Sequence, residues 1–138
     1  MRATSRRSFL TLLAALWSGR AVAAPDPQHE KFVDAAFMMK QLAVAAGDQA
    51  YGAVVVRAGK VVGFGPSRVI AKKDSTAHAE REAIRDAQAS LGRADLFDCV
   101  MYSTSRPCSE CERGAASALL ARMYYGPDAT DAGAPRAR

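Results

Sequence analysis

A chain of 138 residues reads as one domain, and 49% hydrophobic residues suffice for a core. The formal charge of +5 overstates the cationic surface: Arg2, Arg6, Arg7 and Arg20 precede Ala24, no acidic residue does, and without that segment the charge falls by four to +1. Such near-neutrality argues against a nucleic-acid footprint, and three cysteines do not resemble a disulfide framework.

Residues 1–24 read as a targeting segment. Arg2, Arg6 and Arg7 form a basic start, Phe9 to Trp17 is an apolar stretch too short to span a bilayer, and Ala21-Val22-Ala23 or Val22-Ala23-Ala24 offers a small-residue cleavage site. Ser5-Arg6-Arg7-Ser8-Phe9-Leu10 resembles a bacterial twin-arginine signal. The alternative is an ordinary secretory signal that carries paired arginines. Either reading puts the mature protein in the periplasm or outside the cell, with no stable membrane insertion after cleavage.

Residues 25–29 follow as a linker, 30–127 as the functional domain and 128–138 as a flexible tail. Phe32, Ala35, Ala36, Met39, Leu42, Ala43 and Ala46 recur at helical spacing, which predicts a helix over 29–46 ended by Gly47. Its apolar face packs on a sheet, with one or two residues in reach of a pocket. Strands are expected over 51–57 and 60–65, joined at Ala58-Gly59. A loop at 65–68 and a polar loop at 72–75 lead to a helix over 77–90. Ser75 or Thr76 caps it and Gly92 ends it. Arg81, Glu82, Arg85 and Asp86 should face solvent or pair along that helix. A third strand at 98–103 holds Cys99 as a small buried hydrophobe. A helix over 108–121 and a fourth strand over 122–125 complete the domain, and Gly126-Pro127 breaks the strand.

The chemistry gathers at two helix starts, Thr76-Ala77-His78-Ala79-Glu80 and Pro107-Cys108-Ser109-Glu110-Cys111. Cys108 and Cys111, three apart, share one helix face, with Pro107 suited to the first helical position. The positive end of the helix favours thiolates. One imidazole and two thiolates bind Zn²⁺ and leave a tetrahedral position open for water, whose pKa such a site lowers towards ~7. Glu80, two residues from His78, is placed to move that water's proton without being a ligand. Taken singly, each piece has a plainer reading: a redox pair or structural zinc half-site for the cysteines, a cap or core residue for His78, a solvated face for Glu80.

Jointly, the order H-x-E then P-C-x-x-C is a signature of zinc-dependent base deaminases. The sequence resembles the cytidine deaminase-like superfamily from about Phe32 to Pro127. The two motif stretches, including Tyr102-Ser103-Thr104-Ser105-Arg106-Pro107-Cys108, are most similar to its guanine deaminase and tRNA adenosine deaminase branch. The resemblance implies a three-layer α/β/α fold with a mixed sheet, one Zn²⁺ on His78, Cys108 and Cys111, and Glu80 as the catalytic proton carrier. It implies hydrolytic deamination of a free nucleobase or nucleoside, guanine- or cytosine-like, with release of ammonia, and a homodimer.

By the same resemblance, the Ala79 N–H and the Arg106 carbonyl touch substrate. Ser67 stands where relatives commonly carry a substrate-binding Asn, so recognition there differs. Relatives also continue past the fourth strand with an element that closes the pocket; here that element is expected to be missing or supplied by a partner chain. Three alternatives remain: editing of tRNA or single-stranded nucleic acid, a non-catalytic zinc-binding module, and a redox C-x-x-C protein.

Overall fold

The computed structural model describes residues 26–137; the segment expected to act in targeting, residues 1–24, lies outside the described residues. Helix α1 spans Pro27–Ala45. It starts inside the expected linker, because Asp26 caps it by accepting the Gln28 N–H at 2.9 Å and Pro27 supplies the first turn. Strands β1 (Gly52–Arg57) and β2 (Lys60–Pro66) form the expected hairpin. Ala58 and Gly59 turn it with φ of 48° and 78°, the left-handed conformation that a tight two-residue hairpin turn requires.

A short helix α2 (Val69–Lys72) precedes the polar loop and was not expected. Helix α3 spans Ala79–Leu91, strand β3 Cys99–Ser103, helix α4 Ser109–Ser117 and strand β4 Arg122–Tyr125. Three expectations at these helix ends are corrected. His78, not Ser75 or Thr76, is the N-cap of α3. Thr76 instead donates its hydroxyl to Asp74 at 2.7 Å. Pro107 lies before the α4 N-cap, which is Cys108, and α4 ends short of residue 121 because Leu119 turns left-handed at φ 59°.

The region expected to be a flexible tail contains a fifth strand, β5 (Thr130–Gly133), antiparallel to β4. Arg122 on β4 reaches Asp131 on β5 at 2.6 Å across this pair. The sheet therefore continues past the fourth strand, in the order β2-β1-β3-β4-β5. It is mixed: β3 and β4 run parallel, the other neighbours antiparallel.

Two apolar clusters make the three layers. On one face, Phe32, Val33, Ala36 and Met39 of α1 pack on Val54, Val56 and Tyr102. On the other, Ala79, Ala83, Ile84 and Ala87 of α3 and Ala115 of α4 pack on Ala53, Val55, Met101 and Met123, with Cys99 buried among them as expected. The fit is closest at two glycines. A Cβ on Gly65 would lie 2.1 Å from the Ala79 carbonyl, and one on Gly52 would lie 2.3 Å from the Lys40 N. Only a bare backbone lets the first turn of α3 and the fourth turn of α1 sit this near the sheet.

Candidate functional site

Helices α3 and α4 both start beside the same end of the sheet, and their caps bring the metal-binding side chains together. One ligand atom each from His78, Cys108 and Cys111 lies within 4.8 Å of the others. His78 Nδ1 is 3.4 Å from Cys111 Sγ and 3.7 Å from Cys108 Sγ. His78 caps α3 with its backbone only, making no side-chain cap bond, so its imidazole is free to face the sulfurs. Cys108 caps α4 with its sulfur, which accepts the Cys111 N–H at 3.4 Å. That amide stabilises charge on the sulfur, as a ligand thiolate needs.

Glu80 lies on the first turn of α3, only 6% exposed, with Oε2 3.7 Å from Cys111 Sγ. Burial raises its pKa above the ordinary carboxylate value, against a smaller lowering pull from His78. The Cys111 thiol is likewise pushed up, first by burial and then by the Glu80 carboxylate. A buried thiol and a buried carboxylate crowded together are costly to ionise, and a divalent cation among them reverses that pressure. The donor set of one imidazole and two sulfurs fits zinc in particular.

Above these groups opens a cavity of about 800 Å³, lined by Lys40, Gln49, Ala50, Tyr51, His78, Glu80, Ser105, Arg106 and Cys108. A similar hollow of about 560 Å³ between α3 and α4, lined by Arg81, Arg85 and Arg113 among others, contains none of the metal-binding side chains. The site is therefore the first cavity.

His78, Glu80, Cys108 and Arg106 meet there, with Cys111 buried behind them. Ala79 is fully buried, its side chain packed in the core cluster. Ser67 is not brought in. It is 2% exposed and donates its hydroxyl to Asp48 Oδ1 at 3.1 Å. Asp48 also accepts the Ile70 and Ala71 N–H groups, so Ser67 belongs to the brace that holds α2. Sequence reasoning missed Gln49, Ala50 and Tyr51, which line the cavity. The signal was the break between Gly47 and the first strand, a loop joining two packed elements. Lys40 was missed as well: the expectation named residues of the apolar face of the first helix, and the residue of that helix that lines the cavity is a cation outside that set.

The profile of the family described as "Cytidine and deoxycytidylate deaminase zinc-binding region" matches residues 26–127. This chain belongs to that family. It carries a zinc-binding deaminase domain, with His78, Cys108 and Cys111 as its metal-binding group. Guanine deaminase of Bacillus subtilis (strain 168) is 36% identical over 105 residues, covering 75% of this chain and 67% of that protein. A tRNA-specific adenosine deaminase of Buchnera aphidicola subsp. Schizaphis graminum is 33% identical over 85 residues, covering 62% and 56%. The chain thus spans about two thirds of the first relative and just over half of the second. The X-ray structure of the B. subtilis guanine deaminase superposes with a TM-score of 0.68 at 35% identity, covering 71% of this chain and 63% of that one. The family is one of hydrolytic deaminases, and the likeness extends to both guanine- and tRNA-acting members.

Proposed function

We propose that this deaminase domain hydrolyses the exocyclic amine of a free nucleobase or nucleoside, guanine- or cytosine-like, and releases ammonia. The observation that carries this reading is the position of Glu80: a buried carboxylate at the cavity floor, beside the metal-binding sulfurs and not one of them. Held by His78, Cys108 and Cys111, zinc supplies Lewis acidity that brings water's pKa towards ~7.

The remaining chemistry falls to the chain. The base enters past Tyr51, an exposed residue of the cavity lining that offers an aromatic face for stacking. Water adds to the ring carbon bearing the amine. Glu80 takes one of its protons and passes it to the adjacent ring nitrogen. Glu80 then carries a second proton to the departing amine, the C–N bond breaks, and a carbonyl and ammonia remain. A carboxyl group whose pKa is raised by burial suits a group that must both accept and return a proton. The Ala79 N–H and the Arg106 carbonyl are assigned to the substrate by family likeness.

The test is ammonia release from a panel of free bases, nucleosides and a tRNA anticodon stem-loop by the zinc-loaded protein. Release from a base or nucleoside supports the proposal. Release from the stem-loop alone moves the function to tRNA editing, the activity named for the Buchnera relative. Release from none leaves a zinc-binding module. We further infer twin-arginine export from Ser5-Arg6-Arg7-Ser8-Phe9-Leu10. Export of a reporter fused to residues 1–24 should stop when Arg6 and Arg7 are both changed to Lys.

A further inference from the structure

Among the described residues, none after β4 lines the cavity. The C-terminal segment nevertheless returns to the elements that build it. Gly133 ends β5 with φ of 75°, a left-handed turn that suits glycine. Beyond that turn, the Arg136 backbone N–H donates to Glu112 Oε1 at 3.1 Å, and the Arg136 Nε–H donates to the same oxygen at 3.0 Å. Glu112 lies on the first turn of α4, where its own N–H bonds the Cys108 carbonyl at 2.9 Å. Two donors on one carboxylate oxygen therefore tie residue 136 to the turn that bears both cysteines.

Arg106 belongs to two surroundings at once. It lines the cavity. With Pro107 it also borders a gap of about 10 Å³, closed by Met123 of β4 and by Ala132 and Pro135. That is about the room of one water molecule, so the C-terminal segment stands directly behind the loop that carries Arg106. Pro107 and Pro135 are half-buried at this seam, and each has a ring-fixed φ. The Arg106 charge also acts on Glu112, so one carboxylate addresses the C-terminal segment and the loop together. An exposed ion pair by itself adds little stability. The importance of this one is where it closes.

We infer that Arg136 is a positioning residue for the cavity: through Glu112 it clasps the C-terminal segment behind the Ser105–Pro107 loop and so holds the Arg106 carbonyl where substrate meets it. For its effect on substrate, the inference rests on the deaminase reading; for its effect on the loop, it does not. Arg136 itself lines no part of the cavity and acts only through Glu112 and the loop. Unclasped, the segment after β5 parts from the loop, the gap admits water, and the Arg106 carbonyl loses its fixed place. Helix α4 keeps its own backbone bonds, and Glu80 and Cys111 stay buried, so the metal-binding group and the proton carrier remain.

The experiment uses the full zinc-loaded protein as wild type, Arg136→Met, Glu112→Ala, the two combined, and Arg136→Lys. Hydrogen exchange over residues 104–112 is read without substrate, and kcat and KM by ammonia release. Each neutral single variant should speed exchange over 104–112 about tenfold. Each should also raise KM about three- to tenfold with kcat close to wild type. The double variant should do no more than either single, because the two side chains act as one unit. Arg136→Lys should restore most of the protection, and zinc should stay stoichiometric throughout. Should Arg136→Met fail to fold, Glu112→Ala and Arg136→Lys carry the same comparison. Wild-type exchange in both single variants, or losses that add in the double, would overturn the inference. So would a lowered unfolding midpoint with exchange and KM unmoved, which is the mark of an ordinary surface ion pair. Faster loop exchange in the variants of a protein that releases no ammonia from any substrate would keep the clasp and remove the deaminase reading. Ammonia release with exchange and KM untouched by the variants would remove the clasp alone.

Discussion

The floor and the rim of the cavity are built on different terms. At the floor, Glu80 and Cys111 are almost wholly buried, and α3 is pressed onto Gly65 so closely that no side chain fits between. At the rim, Gln49, Ala50, Tyr51 and Arg106 are exposed and come from loops or strand starts. Helix starts and glycine contacts fix the reacting groups, while a few exposed side chains decide which molecule reaches them. Floor substitutions should therefore abolish activity or unfold the protein, and rim substitutions should alter affinity.

The largest effect should follow loss of the metal. Cys111→Ala, or exhaustive chelation, should reduce zinc content below stoichiometry by elemental analysis and remove ammonia release altogether; full activity without metal would break the contrast at its root. Next, Glu80→Ala should keep zinc yet lower the turnover number by about 10²–10⁴, the range for a lost general acid–base group. Turnover matching the wild type would move Glu80 out of the chemistry.

Gly65→Val should destabilise the domain by about 1–3 kcal/mol or more, read by chemical denaturation, because the new side chain meets the Ala79 carbonyl and must displace the floor with it. At the rim, Tyr51→Ala should raise KM by about fivefold with little change in kcat, the pattern of lost uniform binding. A fall in kcat alone would place Tyr51 with the floor.

The smallest effect concerns acid stability. Burial raises the pKa of Glu82, but hydrogen bonds from Lys72 at 2.7 Å and Arg85 at 2.7 Å outweigh it and hold the group below its ordinary value of 4.5. A depressed folded pKa contributes stability that is complete above the unfolded value. It is lost as pH falls from about 4.5 through the folded value. Glu82→Gln should flatten this part of the stability–pH curve; an unchanged curve would show that the ion pairs contribute nothing.

The floor was legible in the sequence because its determinants are local. The spacing of Cys108 and Cys111, and of His78 and Glu80, already places each pair on one helix start, and a single strand links the two. The errors were long-range or concerned weak signals. Ser67 was assigned to substrate because it stands where relatives commonly carry an Asn; its acceptor, Asp48, lies 19 residues earlier across the hairpin. Glu82 pairs along its helix with Arg85, one of the two expected outcomes, but it does not face solvent: α2 carries Lys72 over it and makes it a buried hub. Strand β5 is Thr-Asp-Ala-Gly, a composition with little strand propensity, and its pairing with β4 depends on tertiary context. Hydrophobic periodicity located the helices and strands and the family resemblance supplied the layers, but neither could reveal the rim, because Gln49 and Ala50 carry no periodic signal.

The sulfur that caps α4 has a consequence for how this protein ages. Cys108 is the exposed member of the cysteine pair, and the same atom that faces His78 also anchors the Cys111 amide. Oxidation of that one sulfur would remove a donor and unfasten the end of a helix in the same event. Damage at Cys108 would therefore register as local fraying, visible to hydrogen exchange at Cys111, as well as a missing ion.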